Sequence, residues 1–233
     1  MTEHISKQYD QDLEIIRSRM MQMGGLVESQ IRAAMDGFLD ANVERIEQVI
    51  AADAKVNELE MAIDDEIRHV IVRRQPAATD LRLIMAVSKT VTDLERIGDE
   101  AAKIARMARE LHAPAHSKDT RIATISHVSE ISIGMLRKSL DAFARLDAAA
   151  AARVIGEDAA IDTEFQAILR QLITFMMEDP RTITTSLRII WVAKAFERIG
   201  DHAKNIAEQV IYIVKGRDVR HTPLAEVERE ALR

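Results

Sequence analysis

Two pentapeptides, Glu95-Arg96-Ile97-Gly98-Asp99 and Glu197-Arg198-Ile199-Gly200-Asp201, are identical and lie 102 residues apart. On an α-helix, residues four apart differ by about 40° in azimuth. Glu95 and Asp99 therefore project side by side, and so do Glu197 and Asp201. Two carboxylates at this spacing repel each other and weaken the helix slightly. A hard or borderline cation bound through oxygen would offset that repulsion, and Ser88 and Thr92 on the same face add hydroxyls. The same residues also fit an ion-pair network on a solvated helix face, with Arg96 and Arg198 as the available cations. Spacing alone leaves both readings open. His202 follows Asp201 directly but points about 100° away on an ideal helix, which predicts a surface residue and not a ligand.

Gly98 and Gly200 sit inside the predicted helices, where glycine costs about 1 kcal/mol relative to alanine. A cost repeated at the same place in both copies implies either a helix packed closely against it or a bound group that the backbone must clear. Other chemistry is absent from the sequence. There is no cysteine, hence no thiolate metal site, disulfide or cysteine nucleophile. There is no glycine-rich phosphate loop, no G-x-S-x-G and no H-E-x-x-H. A di-iron bundle of the ferritin kind needs two Glu-x-x-His motifs; only Glu66-Ile67-Arg68-His69 fits, without a counterpart in the second half. Met20, Met21, Met23, Met176 and Met177 read as adaptable core.

The elements that must carry these pairs are long helices. The 233 residues are 47% hydrophobic and 30% charged, with only 3% aromatic, 8 glycines and 4 prolines. Strand formers and turn residues are too scarce for an all-β fold. Leu94, Ile97, Ala101, Ile104 and Ala108 form one stripe in steps of three and four; Phe196, Ile199, Ala203, Ile206 and Val210 form another, and Ile63, Ile67, Val70 and Ile71 a third. The pattern predicts six helices, at 8–38, 42–75, 80–112, 117–146, 148–178 and 183–215. Each proline sits near a boundary, and a charged tail after Lys215-Gly216 has room for one short helix. The halves are related: 31–57 aligns without gaps on 136–162 at an offset of 105, matching Arg32/Arg137, Asp36/Asp141, Phe38/Phe143, Val49/Val154, Ile50/Ile155 and Asp53/Asp158. The later offset of 102 places a net loss of three residues near a helix connection of the second copy.

The expected fold is therefore all-α, two tandem, sequence-related three-helix bundles, with domains at 1–114 and 115–215 and a tail at 216–233. A net charge of −6 argues against a nucleic-acid binder. No stretch approaches the roughly 18 uninterrupted apolar residues of a membrane helix, and the first residues lack the apolar core of a secretion signal. The expected location is the cytoplasm, with the membrane reached only through partners.

The repeated pentads in a duplicated three-helix unit resemble the PhoU family of accessory regulators of bacterial phosphate-specific transport. The segments Arg74-Gln75-Pro76 through Asp80-Leu81-Arg82 and Met20-Met21-Gln22-Met23-Gly24-Gly25-Leu26-Val27-Glu28 are similar to that family too. The resemblance implies a non-enzymatic negative regulator of the phosphate-starvation response. It further implies a link between the Pst transporter, through its ATPase subunit, and a PhoR-type sensor histidine kinase, together with a homodimer. It also implies multinuclear iron or zinc at the E(D)xxxD motifs, here Glu95, Asp99, Glu197 and Asp201. The alternatives are a carboxylate-bridged metal enzyme and a metal-free structural adaptor.

Overall fold

The computed structural model describes residues 7–112 and 124–232, and among them every regular element is helical. The order is α1 (Lys7–Asp40), α2 (Val43–Arg74), α3 (Ala78–His112), α4 (Ser126–Arg145), α5 (Ala148–Glu178), α6 (Ile183–Lys215) and α7 (Leu224–Leu232). Helices α1, α2 and α3 form one bundle, and α4, α5 and α6 form the other. The expected fourth helix began at 117. The chain instead enters α4 at Ser126, after a 3₁₀ turn at residues 124–125, and the part of that expectation before 124, with Pro114, lies outside the described residues.

Local chemistry repeats with the sequence. Each first connection uses one left-handed residue, Ala41 (φ 56°) or Leu146 (φ 51°). An Asx cap follows: Asn42 accepts from the Arg45 amide, and Asp147 accepts from the Ala150 amide. These caps satisfy amides the helix leaves unpaired and turn the chain back at once, making an antiparallel pair. The three-residue loss is taken from the start of the third helix: 17 residues of α3 precede Glu95, but 14 of α6 precede Glu197. The first bundle spans α2 to α3 with Gln75, Pro76 and Ala77, whereas in the second Asp179 caps a 3₁₀ turn, Pro180–Thr182, that runs straight into α6. Gly216 ends α6 at φ 70°, a left-handed conformation suited to glycine.

The bundles join across two seams, α3 on α6 and α1 on α4, so one continuous apolar core serves both. Phe38 and Phe143, equivalent by the duplication, are fully buried. At the α1–α4 seam Gly24 lets the Leu140 side chain approach, and Glu28 holds Arg137 at 2.6 Å. Met20 and Met23 are core residues as expected, but Met177 is 81% exposed, because it lies on the outer face of the last turn of α5.

The repeated glycines mark close helix approaches within each bundle. A Cβ on Gly98 would stand 3.2 Å from Cγ1 of Val56, and one on Gly200 would overlap Cδ1 of Ile161. Val56 and Ile161 are themselves equivalent at the offset of 105. Overpacking of this kind costs about 1–3 kcal/mol, so Gly98→Leu and Gly200→Leu are each expected to lose that much stability. Urea melts check it: an unchanged midpoint in both variants would mean that neither contact is tight.

Candidate functional site

The acidic pairs lie on the two central helices, Glu95 and Asp99 on α3 and Glu197 and Asp201 on α6. Each is completed by the neighbouring helix of its bundle, and those completing residues are again equivalent: Asp53 and Asn57 on α2, Asp158 and Asp162 on α5.

In the first bundle the carboxylates of the pair accumulate without a paired cation. Neither Glu95 nor Asp99 has a hydrogen bond or ion pair among the described residues. Burial, then the charges of Asp99, Glu60 and Asp53, push the Glu95 carboxyl above its ordinary range against the weaker pull of Arg96. Asp53 is raised by burial and by Asp99, and Glu60 by burial, Asp64 and Asp99. Asp53 Oδ1 and Asn57 Oδ1 are buried without a hydrogen-bond partner. Three raised acids around the Asp99 charge and two orphaned oxygens form an electrostatic arrangement suited to a cation. Of the two hydroxyls expected to join it, that of Thr92 donates back to the Ser88 carbonyl at 3.3 Å.

The second bundle supplies its own cations. Lys194, at the position of Thr92 in the first copy, sits 2.6 Å from Glu197, and Lys204, at the position of Ala102, sits 2.5 Å from Asp158. Asp201 is still raised, by partial burial and by the charges of Glu197, Asp158 and Asp162. The ion-pair reading of the pentad thus describes the second copy better than the first.

Iron or zinc can be tested against this donor set. The ligands are all oxygen, which suits iron and other hard cations better than zinc, whose sites favour imidazole and thiolate. The set is not closed around a point: among the described residues no three His, Asp or Glu side chains converge on a common position. The first bundle fits a cation in charge and donor type; the second fits one less well, its acids being partly neutralised.

His202 departs from the sequence expectation. It is 7% exposed and its Nδ1–H donates to Asp93 Oδ1 at 2.8 Å, with Asn205 donating to the same oxygen at 3.1 Å. Beside it Glu100, also buried, receives Arg198 at 3.1 Å and Lys103 at 3.2 Å. The Lys103 ammonium stands 5.7 Å from the centre of the Trp191 ring. These groups form a polar seam between α3 and α6. A single apolar stripe per helix could not reveal it, because each central helix buries two faces, one in its own bundle and one against the other. The signal was present: His202 stands three residues after Ile199 and four before Ile206. Arg198 pairs with a carboxylate as its type suggested, but that carboxylate belongs to the opposite bundle.

No helix among the described residues is long and apolar enough to cross a membrane. Residues 20–108 and 125–210 each match the family described as PhoU domain. A Pseudomonas aeruginosa protein named phosphate-specific transport system accessory protein PhoU homolog is 47% identical over 230 residues, spanning 99% of this chain and 95% of its own length. The Escherichia coli K12 phosphate-specific transport system accessory protein PhoU is 42% identical over 229 residues, covering 98% of this chain and 94% of that protein. Among solved structures, that of PhoU from Pseudomonas aeruginosa superposes with a TM-score of 0.86 at 46% identity, covering 90% of this chain and all of that one.

Proposed function

This chain belongs to the PhoU family, and from that premise we propose that it is a non-enzymatic negative regulator of phosphate uptake and of the phosphate-starvation response. The observation that carries this reading is near full-length similarity to relatives named as accessory proteins of a phosphate-specific transport system. In it, the protein works in the cytoplasm as a scaffold, as a homodimer, between the ATPase subunit of the Pst transporter and a PhoR-type sensor kinase. Two similar but unequal bundles support such a role. The same fold is offered twice, with different side chains at matched positions, so two partners can be told apart. A scaffold of this kind transmits a signal only if it binds the states of the transporter with different affinity.

In the same reading, the pair Glu95 and Asp99 holds a metal, with iron favoured over zinc. Glu197 and Asp201 bind it more weakly, because Lys194 already pairs with Glu197, and Lys204 with the neighbouring Asp158. Bound metal would supply positive charge that cancels the repulsion among these acids. The metal-free adaptor is the second reading, and the lysine pairs of the second bundle favour it there.

Deleting the gene is expected to derepress phosphate-uptake genes in phosphate-rich medium and to raise phosphate uptake. A transcriptional reporter and a phosphate-uptake assay in the deletion strain and its complemented parent check this; normal repression in the deletion strain would refute the proposed role.

A further inference from the structure

The tail of the chain bounds a cavity that the repeated motif does not require. Beyond Gly216 the chain folds back and α7 packs on α5, leaving about 490 Å³ between α5, α6 and the tail. A volume of this order is usual for a small-molecule site. Its lining includes the apolar Ile155, Leu224 and Val227 and the acids Asp162, Asp201 and Glu208.

Charge in the cavity does not balance. Lys204 is committed to Asp158 at 2.5 Å. Arg220 is committed to Asp218, with its Nε 3.0 Å from both carboxylate oxygens. Asp162, Asp201 and Glu208 have no hydrogen bond or ion pair among the described residues. Glu208 is the most telling of the three. It is only 9% exposed, lines the cavity, and lies outside the repeated motif. Its side chain is nine-tenths withdrawn from solvent and unpartnered, and it lines the cavity, so a cation entering there meets a free acceptor. Burial pushes its carboxyl up to about 7, with Lys204 and Arg220 pulling it down and Asp218 and Asp93 pushing it up. Asp201 and Glu208 are seven residues apart, two turns on one face of α6, which is about 10 Å along the axis.

We propose that this cavity binds an aliphatic diamine or polyamine, one ammonium received by Glu208 and another by Asp201 and Asp162, with the methylene chain against Ile155, Leu224 and Val227. The separation of the acids and the apolar lining residues together select this class. A single inorganic cation neither spans the two ends nor uses the apolar lining, and an anion meets surplus negative charge. Asp201 belongs also to the weaker acidic pair, whereas Glu208 does not, so the two activities separate by mutation.

Titration calorimetry of the full chain with spermidine, 1,4-diaminobutane and butylamine tests the proposal, with manganese(II) and inorganic phosphate as controls. Spermidine is expected to bind one to one, and butylamine at least about tenfold more weakly, since it can engage only one end. Glu208→Gln is expected to weaken spermidine by at least about tenfold while the metal content set by Glu95 and Asp99 stays unchanged. Leu224→Lys, at a rim position 40% exposed, places a tethered ammonium at the mouth and is expected to block spermidine without unfolding the chain. The proposal is overturned if spermidine fails to bind the parent at millimolar concentration. It is overturned equally if Glu208→Gln and Leu224→Lys, both folded by circular dichroism, bind spermidine like the parent, or if manganese(II) alone binds in a Glu208-dependent way.

Discussion

Glu95→Gln with Asp99→Asn is expected to remove most of the metal that the protein carries when purified without chelator, and Glu197→Gln with Asp201→Asn a smaller share. The amides keep the shape of the side chains and remove the charge a cation needs. The first pair holds no cation in an ion pair, and its neighbours Asp53 and Glu60 raise the charge density further. The second pair already holds Lys194 at 2.6 Å from Glu197. The pairs lie in different bundles, so the losses should add to within about 0.5 kcal/mol of binding free energy when all four changes are combined. The folded state should survive the first double change and gain slightly, because relieving repulsion between acids four apart on a helix is worth about 0.2–0.5 kcal/mol. Plasma-mass-spectrometric metal analysis with thermal melts of the same samples decides. A parent with metal whose fourfold variant retains it places the site elsewhere. A parent without metal makes the pairs ion-pairing faces, and the adaptor reading then stands alone.

The architecture was legible because it is written in periodicity and repetition. Stripes such as Leu94, Ile97, Ala101 and Ile104 face the core as spaced, and the offset of 105 also relates the two caps, Asn42 and Asp147. Half of the site was legible as well. The pentads named the residues on α3 and α6, and the Asp53/Asp158 identity already marked their partners on α2 and α5, although the spacing argument treated each pair as complete on one helix. Groups that depend on contact between bundles were not legible. Asp93, Glu100 and His202 fall on a second buried face that exists only because α3 meets α6. Glu208 also escaped notice. It sits in an ordinary helical position beside Gln209, and the cavity it lines is bounded by a returning tail. Periodicity reports which face of a helix is buried in its own unit; it does not report what a neighbouring unit or a returning tail will cover.

That returning tail leads to a stability prediction opposite to the common dependence on pH. Glu208 ionises near 4.5 in an unfolded chain and is pushed up to about 7 in the fold, chiefly by burial. Below the lower value both states are protonated, and the favourable contribution of the neutral acid is fully present. As pH rises from about 4.5 through about 7 the unfolded chain loses its proton first, and this contribution is lost. At its limit the loss is about 3 kcal/mol, since a tenfold change in an ionisation constant is worth about 1.4 kcal/mol. Glu95, Asp53, Glu60 and Asp201 are raised too, so their contributions are likewise lost as pH rises. Asp218, held at about 2 by Arg220, acts in the other sense, but its stabilisation is lost only as pH falls from near 4 towards 2. Glu208→Gln cannot ionise and should lack the Glu208 part of the slope. It is expected to be more stable than the parent at pH 8, by up to about 3 kcal/mol, and to converge on it near pH 4.5. Urea melts at intervals across that range measure the difference. Parallel curves would mean that the carboxylate is hydrated or paired in solution. Saturating spermidine provides the complementary check: a cation on Glu208 favours its charged form, so the parent's stability at pH 8 should rise while the glutamine variant gains far less.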